Sequence, residues 1–142
     1  MQIREMSLKE LDSIYELIKQ LRPSLSYKEF EDLIYDMRHM EYKMLGILES
    51  GKLVCYAGVA IQTNLYHKRH LYVFDLVTDE PKRGQSYGKT MLNYLVDYAK
   101  ISMCENIVLS SGLEKTLAHK FYEMHGYIKK SYLFVNSTLE QF

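Results

Sequence analysis

The sequence is poor in the residues that build special scaffolds. Its 142 residues include two prolines, seven glycines, two cysteines and no tryptophan. With so few prolines and glycines and no low-complexity stretch, there is neither linker nor repeat, and one domain over residues 1–142 is expected. Cys55 and Cys104 cannot build a disulfide framework, and both stand in apolar surroundings, as reduced thiols do. Net charge is missing too. The 18 Lys and Arg balance the 18 Asp and Glu, which removes the electrostatic basis for general nucleic-acid binding. No apolar run approaches the ~20 residues of a membrane span, and the start, MQIREMSLKE, has no signal-peptide core, so a cytoplasmic protein with no membrane partner is expected. No H-E-x-x-H or paired Cys/His spacing suggests a metal. What remains is an ordinary globular composition, 47% hydrophobic and 25% charged.

Periodicity supplies the elements. Residues 1–6 suit a short strand. Ser7 with Glu10, and Ser26 with Glu29, are S-x-x-E capping boxes that open two amphipathic helices, the first stopped by Pro23. Residues 44–49 and 53–61 flank a short Ser50-Gly51-Lys52 loop suited to a hairpin. Residues 71–78 (LYVFDLVT) are apolar on both faces, as in a central strand covered on both sides. A helix from Tyr87 or Gly88 to about Ile101, a strand over 106–110, a helix over 116–124 and a last strand over 132–135 complete the chain. The order β-α-α-β-β-β-α-β-α-β predicts an α/β (α+β) fold, a mixed sheet with helices packed on it.

The turn after the central strand reads Lys82-Arg83-Gly84-Gln85-Ser86-Tyr87-Gly88-Lys89-Thr90. Glycines let the backbone turn tightly and let a ligand approach the amides, and a helix start offers unpaired N–H groups and the positive end of a dipole. With three local cations this suits a pyrophosphate; a plain strand-to-helix turn with solvated lysines is the alternative. A nucleotide-binding P-loop is disfavoured, because Gly84 and Gly88 are separated by three residues rather than four. Arg83-x-x-Ser86-x-Gly88 instead resembles the Q/R-x-x-G-x-G/A signature of the GNAT superfamily of N-acetyltransferases. Ser86, a small residue able to cap a helix, replaces the usual first glycine. Downstream, Ala118-x-x-Phe121-Tyr122-x-x-x-Gly126-Tyr127 resembles the second GNAT signature, A-x-x-[FL]-Y-x-x-x-G-[FY]. The two signatures in this order, with a strand between them, are far more specific than either alone.

The resemblance covers residues 71–132 and implies a mostly antiparallel central sheet that splays between its fourth and fifth strands, with acetyl-CoA in the opening. It implies that the backbone of Leu76, Val77 and Thr78 meets the acetyl and pantetheine portion. Arg83, Gly84, Gln85, Ser86, Tyr87, Gly88 and Lys89 would hold the pyrophosphate, and Tyr122 would lie beside the sulfur as donor to the departing thiolate. Lys115 stands where the family often has Asn, and meets a CoA phosphate in this reading. Asp75, the lone carboxylate of the central strand, is the candidate base, placed on the face shared with Leu71, Val73 and Val77; pairing with a backbone group or a cation is the alternative. Phe74 occupies a position where some members carry Glu. Ser110, Ser111, His67, His70 and His119 are further candidates. The expected activity is acetyl transfer from acetyl-CoA to a primary amine of a small molecule or peptide, by direct attack in a ternary complex. The acceptor side would be built from the two N-terminal helices and a basic loop over 62–69 (QTNLYHKR). A CoA-binding sensor of the same fold is the runner-up. The short stretch after Gly126 implies a last strand supplied by a second subunit or absent, hence a homodimer.

Overall fold

The computed structural model describes residues 1–139. Elements run β1 (Gln2–Glu5), a 3-10 turn (Leu8–Glu10), α1 (Leu11–Leu21), α2 (Tyr27–Met37), β2 (Lys43–Glu49), β3 (Lys52–Asn64), β4 (Lys68–Thr78), α3 (Tyr87–Ile101), β5 (Asn106–Leu109) and α4 (Thr116–Met124). Both capping boxes form, but the first opens the 3-10 turn that leads into α1, and only the second opens an α-helix directly. Arg22, whose conformation is restricted by the following Pro23, ends α1 at φ −130° and ψ 75°.

The five strands stand in sequence order, antiparallel except for the parallel pair β4–β5. Ser50 (φ 49°) and Gly51 (φ 79°) turn the β2–β3 hairpin in the doubly left-handed geometry that matches strand twist. Against one face, α1 and α2 bury Leu11, Ile14, Leu17, Ile18, Phe30 and Ile34 on Met44, Leu48, Leu53, Tyr56 and Val77. Each such aliphatic side chain contributes about 1.5–3 kcal/mol. Ala57, Val59, Leu71 and Val73 belong to the other face by register, and α3 packs on β3 and β4 with Met91, Leu92, Leu95 and Ala99 buried.

Three expectations change. The stretch over 62–69 is not a loop: Gln62, Thr63 and Asn64 pair with His70, Arg69 and Lys68, and only residues 65–67 turn. There Asn64 Oδ1 accepts the amides of Tyr66 (3.0 Å) and His67 (2.6 Å). An exposed polar ladder lacks the apolar alternation that announces a strand. Second, no strand forms over 132–135: Leu133, Phe134 and Val135 are exposed without a ladder partner among the described residues, so apolar composition there is not matched by an available edge. The third concerns the face of Asp75. The β3–β4 register slips between Gly58 and Val59, with Gly58 opposite Asp75 and Val59 opposite Val73, so Phe74 is the extra residue of a β-bulge. A bulge reverses the alternation beyond it. Asp75 therefore shares a face with Tyr72 and Val77, not with Leu71 and Val73.

Compact packing divides the chain into Met1–Leu109, which holds the whole sheet, and the stretch from Ser110 onward, which holds α4.

Candidate active site

β5 covers only half of β4. Its four residues pair with His70, Leu71, Tyr72 and Val73, whereas Asp75, Leu76, Val77 and Thr78 keep β3 partners and have none on β5. The sheet thus opens at the bulge, with Leu76, Val77 and Thr78 on the open segment. The Thr78 carbonyl there is already engaged, accepting from Arg83 Nε at 3.2 Å.

The turn that follows is anchored from α1. Buried Asp79 donates its amide to the Val54 carbonyl (2.9 Å), and its Oδ1 accepts from Gln20 Nε2 (2.9 Å), while Gln20 Oε1 accepts the Glu80 amide (2.9 Å). Nothing in the sequence marks Gln20, a polar residue on an amphipathic helix. A 3-10 turn over Glu80–Lys82 then delivers the chain to Gly84 (φ 80°) and Ser86 (φ 69°), both left-handed, before α3 begins at Tyr87. Ser86 does not cap the helix with its side chain. It takes the conformation that glycine adopts without strain, which costs a serine roughly 1 kcal/mol. The turn at Gly84 draws the Gln85 amide back toward the 3-10 turn, and the first bond of α3 runs from the Thr90 amide to the Ser86 carbonyl (3.0 Å), so the amides of 87–89 precede the helical ladder. The amides of this turn and of the first turn of α3, the α3 dipole and exposed Arg83 and Lys89 beside half-buried Lys82 form a receptor that fits a diphosphate.

Asp75 is ion-paired. Its Oδ1 meets Arg22 through Nε (2.9 Å) and Nη2 (2.8 Å), and Arg22 Nη2 also donates to the Phe74 carbonyl (3.0 Å). Its Oδ2 accepts from the Tyr42 hydroxyl (2.8 Å), which lies 2.8 Å from the Tyr56 hydroxyl. Burial raises both phenols well above their ordinary range, with the Asp75 charge adding to it, so they stay protonated. Gly58 makes this possible, because a Cβ there would collide with the Tyr42 hydroxyl. A carboxylate oxygen has two lone-pair positions, and Oδ2 accepts from Tyr42, which leaves its second position open among the described residues. Phe74 packs on Tyr42 and Tyr72, with ring centroids at 5.6 and 4.7 Å.

Beside this cluster, α1, α2 and β4 enclose a cleft of about 200 Å³, walled by Ile18, Phe30, Ile34 and Phe74, with Arg22 and Asp75 in its lining. The three histidines are engaged elsewhere. His70 is buried with Nδ1 on the Lys68 carbonyl (2.8 Å), His67 stacks on Tyr66 at 4.4 Å, and His119 Nε2 donates to the Gly112 carbonyl (2.8 Å). Among the described residues no cluster is arranged to hold a metal ion.

In the segment from Ser110 onward, α4 carries half-buried Ala118, Phe121 and Tyr122, and Gly126 (φ 89°) ends the helix in the left-handed geometry its position suggested. The Tyr122 ring lies 5.5 Å from that of Phe121 and 5.8 Å from that of Tyr127. Burial raises the Tyr122 phenol above its ordinary value, which favours a hydrogen-bond donor. The Tyr127 hydroxyl is buried without a partner among the described residues. Lys115 is exposed just before α4, and Ser110 and Ser111 follow β5 directly.

Known proteins decide between the readings. The model of the Acetyltransferase (GNAT) family matches residues 11–127, spanning both signatures. The chain belongs to the GNAT acetyltransferase family. It is 30% identical over 130 residues to YhdJ of Bacillus subtilis, an uncharacterized N-acetyltransferase, covering 90% of this chain and 92% of that protein. It is 27% identical over 142 residues to the aminoalkylphosphonate N-acetyltransferase of Salmonella typhimurium, covering 96% and 90%. Among solved structures, a protein of Agrobacterium tumefaciens named as a putative acetyltransferase superimposes with a TM-score of 0.82 at 25% identity over 97% of this chain and all of that one. The GNAT fold and a GNAT-type acyltransferase replace the P-loop alternative, and the relatives' activity favours an enzyme over a sensor.

Proposed function

We propose that the chain transfers an acetyl group from acetyl-CoA to the primary amine of a small molecule, in a ternary complex, with residues 1–142 working as one GNAT domain in the cytoplasm. The observation that carries this is the left-handed turn over 84–86 and the first turn of α3, whose amides of 87–89 precede the helical ladder, on a segment that leaves the open half of β4. Those amides, with Arg83 and Lys89, take the diphosphate of CoA, and Lys115 meets a further phosphate. The backbone of Leu76, which the ladder turns toward the open edge while Val77 bonds to Tyr56 of β3, aligns the pantetheine and offers its N–H to the carbonyl oxygen as it gains charge. A small-molecule acceptor is preferred to a peptide because the Salmonella relative is named for one.

Attack by the neutral amine forms the C–N bond and breaks the C–S bond. An alkylammonium with a pKa of about 10.4 must first lose a proton, and the amide product loses another. One of these protons balances the thiol and one is released to water. Tyr122, held protonated by burial, is the proposed donor to the departing sulfur. Asp75 serves the amine side as an ion-paired carboxylate that orients the nucleophile. The test is thiol release from acetyl-CoA in the presence of primary amines, with acetylated product identified by mass. Turnover that requires an amine supports the reading; CoA binding with no turnover across a broad panel contradicts it.

A further inference from the structure

We propose that the cleft between α1, α2 and β4, on the acceptor side that the family resemblance already implies, selects a primary amine on an uncharged apolar body over one that carries a phosphate or phosphonate. This rests on the acetyltransferase reading and adds the class of substrate. The cleft is contiguous with the chemistry: Phe74 and Asp75 line it and immediately precede Leu76, where the thioester is assigned. Its walls are aliphatic and aromatic, with Ile18, Phe30 and Ile34 buried and Leu33 48% exposed at the rim.

Its two charges, Arg22 and Asp75, are paired at 2.8 Å, so an incoming dianion meets a guanidinium whose charge Asp75 already offsets and whose Nε and Nη2 are committed. An ammonium finds the opposite: a carboxylate whose Oδ2 retains one lone pair, aligned by the protonated Tyr42 hydroxyl. The basic residues of the β3–β4 hairpin do not supply an anion subsite. They sit at the far end of β4, about 26 Å from Leu76 at the usual strand rise. Arg69 Nε is moreover committed to the Ser102 carbonyl (2.9 Å), and Lys68 lies 4.0 Å from Glu105. Size sets the upper limit, because an apolar cavity of about 150 Å³ holds benzene. About 200 Å³ therefore accommodates an aryl ring with a short amino-alkyl arm.

The experiment compares 2-phenylethylamine and hexylamine with 2-aminoethylphosphonate as acceptors for the full chain, alongside calorimetry of CoA and amide chemical-shift mapping of each amine. The expected result is a kcat/KM at least about tenfold higher for the apolar amines, with shifts at Phe30, Ile34 and Phe74. Leu33→Lys, at a half-exposed rim position the fold tolerates, should erase most of that preference and leave CoA affinity intact. Equal or better use of the phosphonate, or no shifts in the cleft while CoA binds, overturns the proposal and leaves the acetyltransferase reading standing. Loss of CoA affinity in the native chain overturns that reading instead, and the amine mapping still decides what the cleft holds.

Discussion

The two halves of β4 are one strand under two regimes. From His70 to Val73 it is paired on both sides, and Leu71 and Val73 are buried. From Asp75 to Thr78 it is paired on one side, and only Val77 is buried. A single inserted residue at the bulge separates them. The closed half holds the sheet together. The open half exposes backbone and turns a carboxylate toward the helices. On the proposed function, stability and ligand recognition fall to adjacent segments of the same element, so substitutions on either side of Phe74 should fall into different classes.

The largest effect is expected in the closed half. Leu71→Ala removes a fully buried side chain and should cost about 2–5 kcal/mol of unfolding free energy. Denaturant titration checks this, and CoA affinity of the folded fraction should be unchanged. On the open side, Gly84→Val forces a β-branched residue to φ 80°, where space is available but the conformation is not. CoA affinity should fall about ten- to hundredfold, with a far smaller change in stability. Tyr122→Phe lies outside both halves and acts as a control on chemistry: kcat should fall about tenfold with CoA affinity kept. Because burial raises its phenol, deprotonation of Tyr122 should not reduce kcat until the pH exceeds about 10. The smallest effect is Ser86→Gly, which relieves a left-handed serine. It should stabilise by less than about 1 kcal/mol, since glycine also gains freedom in the unfolded chain, and should preserve CoA binding.

The buried phenols give the sheet a pH dependence of known sign. Tyr42 and Tyr56 are raised in the folded state. Their contribution is therefore complete below the unfolded value near 10 and is lost as pH rises above it. Thermal unfolding should be flat from this source through neutral pH and weaken only in strong alkali.

Local signals in the sequence were enough for the elements that depend on local physics. The capping boxes at Ser7 and Ser26, the stop at Pro23, the start of α3 at Tyr87 and the glycine ending α4 all express contacts within a few residues. The pairing of Asp75 with Arg22 and Tyr42 was not legible in detail, because its partners lie 53 and 33 residues away. The bulge leaves no local signal, because LYVFDLVT is apolar in both registers and no alternation records the reversal. Gln20 was invisible for a similar reason: its two bonds to the turn after β4 cross from one element to another. The stretch over 132–135 had strand-like composition, but composition does not provide a neighbour to pair with.

The most direct measurement is amide chemical-shift mapping as CoA is titrated into the labelled protein. Large shifts at residues 84–89 and at Leu76 and Val77, with none at the hairpin turn over 65–67, are expected if the open half of β4 and its turn hold the cofactor. Shifts confined to other segments, or none at millimolar CoA, would contradict that assignment.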